Sequence, residues 1–365
     1  MGRLRVNTIK NSTGTSGPIF TGPAEFSSTA HIVLPKGTTA ERPSSPSTGA
    51  LRYNTDTSNV EYWNGTTWVS VSSYDAGIRG VFGGGYAPTV TNTIDIIFIN
   101  STGNATDFGD LTVSRGDLAS CSSSTRGIFG GGRTPAVVNT IDYISLESSG
   151  NATDFGDLTV TRYSSAGCSS STRGIFGGGI VPPSYSNTID YITIATTGNA
   201  TDFGDLTIGN ALIGACSSST RGVFGGGYDP SSPFNGNRID YITIATTGNA
   251  TDFGDLTLAR GYLTACSSST RGIFGGGTPV GGNTIEYITI ASIGNATDFG
   301  DLTTSRFHLA ACSSSTRGVF GGGSPRTNTI DYITIASTGN ATDFGDLSVS
   351  RTQLAACSNA HGGLS

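Results

Sequence analysis

A seven-residue stretch, Arg126-Gly127-Ile128-Phe129-Gly130-Gly131-Gly132, returns six times almost unchanged, starting at Arg79, Arg126, Arg173, Arg221, Arg271 and Arg317. The intervals are 47, 47, 48, 50 and 46 residues, the length of one supersecondary unit in a repeat architecture and too short for a whole domain. Whatever fold the chain adopts has to be assembled from six nearly equal units.

Each interval holds four strand-like segments. In the second copy they are residues 127–130, 140–146, 152–159 and 165–170, where β-branched and aromatic residues alternate with Thr, Asp and Ser as a half-buried strand requires. Only 13% of the residues are charged and 54 are Gly, which points to short strands and tight turns with little helix. Four antiparallel strands repeated around a circle predict an all-β fold, a β-propeller. The first copy lacks a cysteine-bearing strand before Arg79, and the chain ends on Leu354-Ala355-Ala356-Cys357 with a short tail. Residues 353–360 are therefore expected to complete the copy begun at Arg79, closing six blades over residues 76–365.

Residues 1–75 do not share the repeat. Residues 17–26 and 31–35 read as short extended pieces between Gly and Pro breakers, and 36–49 as a linker. Residues 50–54, 60–63 and 67–71 alternate at period two, with Asn64-Gly65 before the last, and predict a three-stranded meander.

Arg162, Ala166-Gly167-Cys168, Ile175-Phe176-Gly177-Gly178, Tyr191 and Phe203 together resemble the kelch pattern, with Phe203 where kelch repeats usually carry Trp. The resemblance implies that the cysteine strand is innermost. Leu34-Pro35-Lys36-Gly37 through Arg42-Pro43, Gly49 through Thr57 and Tyr62 through Trp68 are similar to segments of bacteriophage tail-fibre and other virion proteins. That second resemblance implies a virion protein, assembled in the host bacterial cytoplasm, that joins other virion proteins through residues 1–75. It also suggests, by analogy with fibres, a homotrimer.

The net charge is −6, and 18 of the 26 acidic residues recur at fixed repeat positions, so the acidity is framework. No Lys/Arg cluster offers a nucleic-acid footprint, and no apolar run approaches a membrane span. The six cysteines fall one per repeat and read as free, buried thiols, since stacked sheets lie too far apart for a disulfide. The glycine triplets match no phosphate loop, and Asp154-Phe155-Gly156-Asp157 reads as turn-forming acid, short of a calcium site. Three histidines, His31, His308 and His361, recur nowhere, so neither catalysis nor a cofactor or metal is expected.

Two segments differ in every copy: the connection after the glycines and the residues just after the fourth strand. Both emerge on one face of an up-and-down sheet. Tyr86, Arg133, Tyr185, Tyr228, Phe234, Tyr262, Phe307 and His308 are expected to stand exposed there as a recognition face for a host-surface glycan or protein. The sequence thus reads as a non-enzymatic tail fibre or similar appendage. Alternatives are a purely structural capsid-decoration or baseplate component, and a glycan-cleaving tail enzyme, for which the variable acids Asp117, Glu147 and Asp229 look too scattered.

Overall fold

The computed structural model describes residues 34–57, 59–71, 77–228, 236–279 and 282–364. The extended pieces expected at 17–26 and over His31, Ile32 and Val33, together with Asp229 and Phe234, lie outside the described residues. Those residues contain strands and two short 3-10 turns, Thr39–Glu41 and Gly362–Leu364, and no α-helix. The chain divides into two compact units, Met1–Tyr74 and Asp75–Ser365.

In the first unit the expected meander forms from Leu51–Asn54, Asn59–Trp63 and Trp68–Val71. The segment expected to be a linker also contributes a strand: Lys36–Gly37 pairs in parallel with Leu51–Asn54. Burial along the sheet inverts the usual pattern. One face buries Arg52, Asn54 and Glu61. Glu61 accepts hydrogen bonds from Arg42 Nη2 at 2.7 Å, Arg52 Nη1 at 3.1 Å and Asn54 Nδ2 at 3.1 Å. Arg42, chief among these partners, holds the Glu61 carboxyl below the usual range against the cost of its burial. On the opposite face Leu51 is 49% exposed and Tyr53 and Tyr62 are each 36% exposed.

The second unit consists of four-stranded antiparallel sheets. One contains Ala119–Ser122, Arg126–Gly130, Thr140–Ser145 and Thr153–Asp157, in that order across the sheet. Four more, opening at Ala166, Gly214, Thr264 and Ala310, repeat the plan. A sixth takes its first strand, Ala355–Ser358, from the far end of the chain and pairs it with Arg79–Gly83. The cysteine strands touch one another from sheet to sheet. Small residues suit this crowded place. Ser169 Oγ donates to the Ser122 carbonyl at 2.7 Å, and the same bond runs from Ser217 to Ser169, Ser267 to Ser217, Ser313 to Ser267, Ser358 to Ser313 and Ser122 to Ser358. The series returns to its starting residue. All six cysteines are free and buried between sheets, where burial pushes the Cys168, Cys266 and Cys357 thiols up to about 12.

Phe and Gly of the recurrent stretch mate between sheets. A Cβ on Gly130 would meet the Phe176 ring at 2.8 Å, and one on Gly83 would meet Phe129 at 2.7 Å. Phe82 in turn fills the space above Gly321, so the last sheet accepts the ring of the first. The second and third glycines of the triplet do something else: Gly131 and Gly132 hold φ at +63° and +104°, values that favour glycine.

Asp154-Phe155-Gly156-Asp157 is a correction. These residues lie on the strand expected over 152–159, the fourth of its sheet, so it is the turn-forming reading of the acids that falls. Phe155 enters the core, and Asp157 N–H donates to Asn199 Oδ1 of the next sheet at 3.1 Å. The turn-like signal comes from Gly156, whose φ of +145° lets the Gly198 carbonyl approach closely.

Five of the six acids of the Ile-Asp positions, counted as framework, turn out to be fully buried ion-pair partners. Arg162 leaves the end of one sheet and reaches Asp190 of the next at 2.9 Å, with both side chains wholly buried. Thr159 Oγ1 donates to the same carboxylate at 2.6 Å. Arg115–Asp142, Arg260–Glu286, Arg306–Asp331 and Arg351–Asp95 repeat the link. A buried pair adds little net stability, but breaking one strands a charge. Arg162→Ala should therefore cost about 3–5 kcal/mol, read as a fall in the midpoint of chemical denaturation.

Candidate functional site

The inner strands fix the direction of everything around them. Each begins near a variable residue and ends at a serine of the hydrogen-bonded series, so variable residues gather at one end of the inner strands. The connections after the glycines reach the same end: Gly116 bridges Arg133, Tyr163 bridges Ile180, Ala211 bridges Tyr228, Gly261 bridges Thr278 and Phe307 bridges Ser324. In the third copy that connection also folds into a small hairpin, Ile180–Val181 with Ser184–Tyr185.

Just before each inner strand sits a residue with left-handed backbone: Asp117, Ser164, Leu212, Tyr262, His308 and Gln353, at φ between +55° and +62°. Their backbones join head to tail. Ser164 N–H donates to the Asp117 carbonyl at 2.8 Å, and Leu212 to Ser164, Tyr262 to Leu212, His308 to Tyr262, Gln353 to His308 and Asp117 to Gln353 each do so at 2.9 Å. This rim surrounds a cleft of about 120 Å³ whose walls are the first residues of the inner strands.

The seven expected recognition residues that are described lie here, with one correction. Tyr86, Arg133, Tyr185, Tyr228, Tyr262, Phe307 and His308 are half-buried, not exposed, because they stack on each other. Tyr185 and Tyr228 have centroids 5.2 Å apart. Tyr262 meets His308 at 4.2 Å and Phe307 at 5.9 Å. Arg133 lies 4.8 Å from the Tyr163 ring and 5.9 Å from that of Tyr86.

Asp117, set aside in the sequence as a scattered acid, belongs to this site. Its side chain is 3% exposed and accepts a 2.7 Å hydrogen bond from Arg133 Nε. Burial pushes its carboxyl up, and Arg133 opposes that shift. Burial, then the Arg133 charge, lowers His308 to about 4, so its imidazole is neutral near pH 7 although Nδ1 stands 3.9 Å from Asp117 Oδ1. Tyr163, Ser164, Leu212 and Gln353 were also missed as site residues. Their only signal was variation at one repeat position, and nothing in the sequence marked that position as left-handed.

The other end of the inner strands is filled by the chain's own tail. His361 Nε2 donates to the Ser122 carbonyl at 3.1 Å, while Gly363 N–H donates to Nδ1 at 3.1 Å. One ring nitrogen donates and the other accepts, which fits neutral imidazole only. Burial accordingly lowers His361 to about 4. A Cβ on Gly363 would strike the Ser169 carbonyl, so only glycine fits that position.

The two lowered histidines fix a pH dependence. Between about 4 and the ordinary histidine value the unfolded chain binds more protons than the folded one, so stability falls as pH drops through that window. Asp117, raised instead, works in the opposite direction over the carboxylate range. The unfolding free energy, read from chemical denaturation, should decline between pH 7 and pH 4 by an amount on the order of a few kcal/mol, and His361→Gln should flatten that slope.

Among the described residues no group of His, Cys, Asp and Glu is placed to hold a metal ion, and no helix is long and apolar enough to cross a membrane. Residues 23–93 match the model of the phage tail like trimerisation region. No curated protein matched the chain. The family match covers residues 23–74 of the first unit and the start of the second, and it supports a phage tail structural protein, a virion component and a trimeric assembly.

Proposed function

We propose that this chain is a non-enzymatic phage tail protein whose second unit is a six-bladed, kelch-like β-propeller displayed for host-surface recognition. The observation that carries the reading is the rim: six equivalent positions on a nearly invariant frame bear six different side chains around one cleft. The propeller reading is supported by three series that each return to their start, namely the serine bonds, the phenylalanine contacts and the rim backbone. A binding role is favoured over hydrolysis because Asp117 is the sole carboxylate among the described residues that line the cleft, and glycoside hydrolysis ordinarily needs two.

The first unit supplies attachment. Its inverted sheet leaves Leu51, Tyr53 and Tyr62 open on one face, and the match to a trimerisation region supports further copies of this chain as the occupant. Burying such a face is what association of apolar surface requires. The full chain should sediment as a trimer, and Leu51→Asp with Tyr62→Asp should shift it to monomer; a trimer that survives both changes would place the contact elsewhere. Recognition is tested separately. Labelled full chain should bind the bacterial host, and Tyr228→Ala with Tyr262→Ala should lower that binding at least about tenfold, one 1.4 kcal/mol step. Undiminished binding by the variant would favour the purely structural role.

A further inference from the structure

Taken in chain order from Arg79, the last four sheets close their third strand on the same three residues: Thr193-Ile194-Ala195, Thr243-Ile244-Ala245, Thr289-Ile290-Ala291 and Thr334-Ile335-Ala336. The first two sheets depart from this, with Phe98-Ile99-Asn100 and Ser145-Leu146-Glu147. The middle residue is buried in all six, and the exchanges that alter chemistry fall on the two solvent-facing positions. The two departing sheets are joined at this place: Arg79, opposite Phe98 in the sheet, donates from Nη1 to the Leu146 carbonyl at 2.6 Å. This end of the strands is the one away from the rim.

An aromatic ring has moved to reach it. In the other five sheets a tyrosine stands two residues earlier in the strand, as Tyr143 does, 4.7 Å from the Arg126 guanidinium and edge-on to Phe155 at 6.0 Å. Tyr191, Tyr241, Tyr287 and Tyr332 repeat both contacts. In the first sheet that position is Ile96, which is buried, and the ring appears at Phe98, 47% exposed. Residues two apart share a face of a strand, so the ring has slid along one face past the end of its cover. A single exposed apolar side chain is ordinary. Here the equivalent residues are Ser145, Thr193, Thr243, Thr289 and Thr334, so the sheet forms with a hydroxyl in this place and folding does not call for a ring.

We propose that Phe98 packs against the first sheets of two further copies of this chain, a contact of the trimer made by the second unit itself. This rests on the trimer reading and adds a contact to the face of Leu51, Tyr53 and Tyr62. The match to a trimerisation region supports the choice of occupant. It does not stop at the first unit but runs through all of Arg79–Gly83 to Thr93, the residue that opens the strand Thr93–Phe98. Of the six sheets, it therefore touches the one that carries the exposed ring. A Cβ on Gly77 would meet that ring at 2.8 Å, so a glycine lets the chain enter the unit close against Phe98. Threefold symmetry lets one ring per chain suffice, because a residue near the axis finds its partners in its own copies, and aromatic rings in contact gain beyond the area they bury.

The test uses the full chain. Phe98→Thr installs the residue that four sibling sheets carry, so the far-ultraviolet circular dichroism spectrum should stay as in wild type. In sedimentation its trimer should dissociate at a concentration at least about tenfold higher than that of wild type. A photo-reactive benzoylphenylalanine in place of Phe98, in mixed isotopically light and heavy chains, should form light-to-heavy cross-links to residues 77–100 of another copy. The same probe in place of Thr193 should form none. A trimer undiminished by Phe98→Thr, cross-links from position 98 that stay within one chain, or cross-links between copies that are equal from both positions overturns the proposal and leaves the trimer reading standing. Should Phe98→Thr alter the spectrum, the cross-links alone decide. A wild-type chain that sediments as a monomer at every concentration removes both readings.

Discussion

The contact on which the second unit depends is a phenylalanine ring seated on the glycine of a neighbouring sheet. Each sheet offers Phe from its second strand in one direction and a bare glycine in the other, as Phe176 on Gly130 and Phe82 on Gly321 show. Burying such a ring is worth about 1.5–3 kcal/mol, and sheets can approach this closely only where no Cβ intervenes. Because every sheet gives one ring and receives one, the arrangement has no natural end. It is completed only when the last sheet receives the ring of the first, which is why the strand Ala355–Ser358 has to cross from the far end of the chain to Arg79–Gly83.

The buried arginines follow the same direction but fail once. Asn210 stands where the other copies have Arg, and its Nδ2 donates to the Gly226 carbonyl at 2.8 Å without reaching the next sheet's acid. Asp240 therefore relies on Thr207, and burial pushes its carboxyl up. Arg238 replaces the Thr found at this place in the other copies and partly offsets that shift. The displaced arginine lies in the sheet that carries the longest repeat interval, 50 residues, so charge compensation and loop insertion occur together in one copy.

Much of this was legible in the residues. Period, strand pattern and the orphan cysteine strand gave the sheets and the cross-chain pairing, because these are local or counting signals. The parallel strand Lys36–Gly37 was not legible: two residues of Lys and Gly within a Pro- and Ser-rich stretch carry no periodicity, and only pairing with Leu51–Asn54 makes them a strand. Asp154–Asp157 was misread because Gly156 carries a turn residue's signature into a strand, where its partner is the carbonyl of another sheet. The rim was half legible. Variation marked its positions, but the aromatic residues judged exposed shield one another, and Asp117 became a site residue only through Arg133, 16 places away.

By itself the sequence determined the unit and its multiplicity: alternation sets strands, small residues set the inner strand, and glycine sets where rings and tight turns go. Only the tertiary structure decided which residues share a site. Positions some 47 residues apart meet at the rim because their sheets stand side by side, and the left-handed backbone that projects them is imposed by a hydrogen-bonded ring to which each copy contributes a single link. No local stretch of chain contains that ring, so no local reading could have drawn it.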